Sequence, residues 1–122
     1  MSTNPNVEER TPDAPVDTRR VGERLLSEAD QNGNGRAAVT LTPTSGGPLK
    51  QTLLALQADH ELSEHTAPGP ATVLVLRGSV VLRVGEDGTT LDEGQWSAIP
   101  REKHTLRAVD DTVCLLTVAP EA

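Results

Sequence analysis

Between residues 37 and 118 every apolar run in this chain is short and stops at a turn residue. Runs at 37–42, 50–57, 63–66, 71–76, 79–84, 89–91, 95–99, 104–109 and 112–118 are rich in Val, Leu, Ile and Thr, as strands are. Between them stand Pro68-Gly69-Pro70, Gly78, Gly85-Glu86-Asp87-Gly88, Glu93-Gly94, Pro100 and Asp110-Asp111, with 43–48 as a Gly-rich turn. No helical pattern interrupts the series. Many short strands without intervening helices point to an antiparallel, closed or two-sheet, all-β architecture.

Upstream the texture differs. Residues 1–17 carry Pro5, Pro12 and Pro15 among Asn, Thr, Glu and Asp, too little apolar area to offset the entropy of ordering, and read as a disordered tail. Val21, Leu25 and Ala29 then recur at helical spacing, with Leu26 widening the stripe. The pattern predicts a short helix within 18–32, capped by Asp17 or Thr18 and ended by Gly33 or Gly35. So short an apolar stripe needs a surface to pack on, the outside of the barrel or a partner subunit. The 122 residues thus divide into a tail, a short N-terminal helix and a β-barrel over 36–122.

Composition narrows the function. Trp96 is the single aromatic residue, so the core is aliphatic and the stacking platforms used to read single-stranded nucleic acid are missing. A net charge of −7 repels phosphate backbones, which argues against nucleic-acid partners. No apolar run is long enough to span a bilayer, and the polar N-terminus has no apolar leader stretch, so the chain reads as cytosolic, without a membrane partner. Cys114, the one cysteine, lies in Val113-Cys114-Leu115-Leu116 with no flanking cation and reads as a buried thiol rather than a nucleophile. Asp30-Gln31-Asn32-Gly33-Asn34-Gly35 has the first half of a calcium-loop pattern, but the twelfth position is Leu41, and a helix C-terminal turn accounts for the same letters.

The informative stretch runs from Ser63 to His104. Leu62-Ser63-Glu64-His65-Thr66-Ala67-Pro68-Gly69-Pro70-Ala71, continuing to Gly78, resembles the first motif of the cupin family, with the first histidine on His65 and the final glycine on Gly78. Gly94, Pro100 and His104 match the second motif. The resemblance covers about 50–118 and implies a double-stranded β-helix, the jelly-roll barrel, with His65 and His104 converging inside it. Family members with the full motifs hold a divalent transition metal through three histidines and a glutamate. Here the second histidine slot is Ala67 and the glutamate slot is Ala71; Asp59 takes the first glycine slot, Glu102 stands near the second motif's glycine, and Ala108 fills its asparagine slot. Two of four metal ligands remain.

Replacement ligands would have to come from His60, Glu61, Glu64, Gln51 or Cys114. Strict strand alternation sets Glu64 on the face opposite His65, and His60 falls near a turn, at the rim. The pair also has a use without metal, since two histidines in a partly apolar barrel can exchange protons or hydrogen-bond a ligand. Trp96, on a strand of the same motif, is a candidate pocket residue, with core or interface filling as its ordinary role. Two functions follow from the resemblance: a barrel binding a small molecule without metal, and a metal-dependent enzyme of dioxygenase or isomerase type using His65 and His104; a third, a structural or dimerisation module, follows from the edge strand at 37–42 and the Val/Leu-rich outer faces. The family often dimerises, so a homodimer is expected.

Overall fold

The computed structural model describes residues 15–42 and 47–120, so most of the tail expected at 1–17 and of the turn at 43–48 lies outside the described residues. The chain opens with α1 (Thr18–Asn32). Nine strands follow among the described residues: β1 (Arg36–Thr40), β2 (Lys50–Leu56), β3 (Glu61–His65), β4 (Ala71–Arg77), β5 (Ser79–Val84), β6 (Asp87–Asp92), β7 (Trp96–Ile99), β8 (His104–Ala108) and β9 (Thr112–Val118). They form two antiparallel sheets, β1-β2-β9-β4-β7 and β3-β8-β5-β6.

The aliphatic core fills the space between the sheets. Leu54, Leu56, Val73, Val75 and Cys114 from the larger sheet meet Val80, Leu82, Leu91, Leu106 and Ala108 from the smaller one. The larger sheet is covered on its outer face as well. Leu25 of α1 packs with Val39, Leu53, Ala55 and Val113, with Val21 and Leu26 beside them. Two covered faces explain why Leu53, Leu54, Ala55 and Leu56 are all buried in succession instead of alternating.

Asp17 caps α1, its carboxylate accepting from the Arg20 N–H at 3.1 Å, and Gly33 ends it in the left-handed region at φ 79°. The calcium-like letters serve this exit. Asn32 Oδ1 accepts from the Asn34 N–H, Asn34 Oδ1 accepts from the Arg36 N–H, and Asp30 Oδ1 accepts from Gln57 Nε2. The two asparagine contacts turn the chain into β1, and the Asp30 contact ties the helix end to the residue after β2.

Gly78 shows why one family anchor is glycine. Its φ is 88°, and a Cβ there would stand 2.5 Å from both the Asp111 carbonyl oxygen and Thr112 Oγ1. The close approach lets the buried Thr112 hydroxyl accept from the Ser79 N–H at 3.1 Å and reach the Ser79 carbonyl at 3.0 Å, tying β5 to β9.

Candidate functional site

Core and cavity divide the interior between the sheets. Along β2, Leu54 and Leu56 belong to the core while Thr52, two residues earlier on the same face, lines a cavity. Along β4, Val73 and Val75 are core and Ala71 is cavity; along β9, Cys114 is core and Val118 is cavity. The hydrophobic filling therefore stops short of one end of the barrel and leaves a part-open space of about 210 Å³. Its walls are aliphatic apart from Thr52, Thr117 and His104.

His104 begins β8 and is 3% exposed. Its Nδ1 lies 2.9 Å from the Glu102 carbonyl oxygen. A carbonyl only accepts, so Nδ1 carries the proton in this contact, and the ring is held by backbone two residues away. The partner is the main chain of Glu102, so the missing motif glycine at that position does not disturb it. Among the described residues His104 is the only ionisable side chain in the cavity wall.

His65 is the register partner of His104. The pairing depends on an irregularity: Leu62 faces Leu106 and His65 faces His104, so three steps on β3 match two on β8. Without this bulge Glu64 would occupy the position opposite His104. The two motifs are thereby brought to one cross-strand position, while the side chains of Glu64 and His65 lie outside the described residues.

Both alanine slots, Ala67 and Ala71, line the cavity. Methyl groups stand there with no coordinating atom. Among the described residues no three of His, Cys, Asp and Glu come together to hold a metal. Of the replacement ligands weighed above, the side chains of His60, Glu61, Gln51 and Cys114 are described, and none of them lines the cavity. Exposed His60 packs against Gly35, whose absent Cβ leaves room for the ring, and Glu61 is exposed. Gln51 donates to Thr117 Oγ1 at 3.2 Å. Cys114 is fully buried in the core, and burial pushes its thiol up from 9.0 to about 12, which leaves a poor ligand and a poor nucleophile. The described donors in this wall do not make up a three- or four-ligand centre.

Trp96 lies away from the cavity. As a residue weighed for the pocket, with core or interface filling as its ordinary role, it is 59% exposed and absent from the cavity wall. Trp96 is three residues before Ile99, which does line the cavity, and in a strand an odd spacing means opposite faces. The indole stands on the outer face, on the strand pair where Trp96 is opposite Leu74.

The architecture has known counterparts. A cupin superfamily protein from Desulfitobacterium hafniense superposes with a TM-score of 0.64 at 16% identity, over 70% of this chain and 78% of that one. A conserved protein of unknown function from Streptococcus pyogenes gives a TM-score of 0.70 at 21% identity, over 99% of both chains. The salicylate 1,2-dioxygenase of Pseudaminobacter salicylatoxidans gives 0.70 at 22% identity over 82% of this chain, which spans only 33% of the dioxygenase. No protein-family model and no curated protein matches the sequence. The chain thus has the cupin fold, two antiparallel sheets with one short helix among the described residues. Among the described residues no helix is long and apolar enough to cross a membrane.

Proposed function

We propose that this cupin domain binds a small, largely apolar molecule in the cavity at the open end of the barrel, without a metal. The observation that carries the reading is the wall itself: aliphatic side chains, two alanines in the family's ligand slots, and one buried imidazole. A cavity of about 150 Å³ holds benzene, so the space here suits a single ring or a short alkyl chain. An apolar body gains from the dry walls. A hydroxyl on it can donate or accept and so suits the His104 ring in either protonation state. His65 holds the register position opposite on β3.

Calorimetric titration of chelator-treated protein with phenol or 1-hexanol tests this. One saturable site is expected, with the same affinity before and after chelation, and lost in Ala67→Leu, which fills the cavity from its rim. The metal-dependent reading draws on the His65–His104 register pair. A stoichiometric metal that copurifies, and disappears in the His65→Ala/His104→Ala double variant, would replace the present proposal with that one.

A further inference from the structure

Along the inner face of β2 the side chains run Thr52, Leu54, Leu56, so a hydroxyl stands at the cavity where the core pattern would continue with an aliphatic group. Neighbouring threonine hydroxyls serve the fold. Thr42 Oγ1 accepts from the Gln51 N–H, Thr117 Oγ1 accepts from Gln51 Nε2, and the Thr112 hydroxyl is bonded to Ser79 and to the Asp110 carbonyl. The half-buried Thr52 hydroxyl has no hydrogen bond to any of the described residues. Valine has nearly the same shape without the polar atom, so packing alone does not call for this oxygen. β2 belongs to the larger sheet and β8 to the smaller, which sets Thr52 and His104 on facing walls of the same space.

We infer that the ligand carries two oxygen functions on a short carbon spacer, one meeting His104 and the other meeting Thr52, which makes Thr52 a specificity-determining residue. The inference rests on the cavity reading above and deepens it from a small, largely apolar molecule to one with a polar group at each end, such as a short diol. Solvent satisfies the Thr52 hydroxyl while the cavity is open. A ligand that fills the roughly 210 Å³ displaces that solvent, and an apolar end against Thr52 would strand the hydroxyl in an otherwise aliphatic wall. A ligand oxygen at that end restores the bond. Between the two polar groups the Leu, Ile, Val and Ala side chains favour carbon.

The test is calorimetric titration of the linear diols from 1,3-propanediol to 1,6-hexanediol, each beside the 1-alkanol of the same length. The unaltered chain, Thr52→Val and Thr52→Ser are compared, with urea midpoints showing that all three are folded. In the unaltered chain the diol whose length matches the span should bind about tenfold tighter than its alkanol. Thr52→Val should reverse that preference, because the second diol oxygen is then the stranded group, and Thr52→Ser should keep it. Saturable alkanol binding with no diol preferred, a preference that survives Thr52→Val, or one lost in Thr52→Ser overturns the role of Thr52 and leaves the cavity standing. No saturable binding of any diol or alkanol overturns both.

Discussion

His65 and His104 are direct register partners on β3 and β8, and a one-residue bulge after Leu62 is what makes them so. Leu62 is a cavity residue. Counting by twos from it along a regular strand would bring Glu64 to the position opposite His104 and would install a carboxylate beside the buried ring. The bulge brings His65 to that register position instead, opposite the one ionisable residue among the described members of the wall.

Removing the bulge by deleting Ser63 should therefore keep the two histidines opposite each other. The shortened strand would pair Glu64 with Thr105 and His65 with His104 in regular register. Phenol should then bind within about threefold of its affinity for the unaltered chain, a difference under about 1 kcal/mol, while the urea midpoint moves far less than after a core truncation. Calorimetry and urea titration on the same variant check the two halves.

Cys114 makes stability pH-dependent in a fixed direction. Its thiol is held near 12 in the folded chain by burial, against 9.0 ordinarily. The folded value is the raised one, so the contribution is complete below about pH 9 and fades as pH climbs toward 12, by up to about 1.4 kcal/mol per pH unit. Urea unfolding at pH 8 and pH 10 should show the loss, and Cys114→Ala should lack that component. In native protein at pH 8 the thiol should resist an aromatic disulfide reagent and react only after unfolding.

Much of this fold is legible in the letters, for a physical reason. Gly and Pro punctuate the chain where strands reverse, and all nine strand positions read from those signals are strands in the structure. The helix is legible too, through Asp17, the Leu25 stripe and Gly33. Two things at the site are not. A bulge has no period, so the sequence around Ser63 does not announce which of Glu64 and His65 meets β8. The cavity brings together Thr52, Ala71 and His104 from strands that are distant in sequence. Trp96 is a different case, because alternation counted back from Ile99 already sets it on the outer face.

That placement is itself testable. Trp96 is the one indole of the chain and 59% exposed, so its fluorescence should be quenched readily by acrylamide in the native state. Saturating the cavity with phenol or 1-hexanol should leave its emission maximum unchanged. A blue shift on ligand addition would mean that the indole sits at the site.

The helix covers part of the larger sheet, and Leu25 is its largest fully buried side chain. Leu25 is 1% exposed among Val39, Leu53, Ala55 and Val113. Leu25→Ala should cost about 2–5 kcal/mol in urea unfolding. Ligand affinity should hold in what remains folded, because this cluster lies on the face of the sheet away from the cavity.

The most direct test follows the histidine ring resonances of ¹³C-labelled protein during titration with phenol, without added metal. His104 should shift along a saturable curve with one site per chain, and exposed His60 should not move. Saturation that leaves the His104 ring unmoved, or shifts that arise only once a divalent metal is supplied, would contradict a dry, metal-free cavity as the binding site.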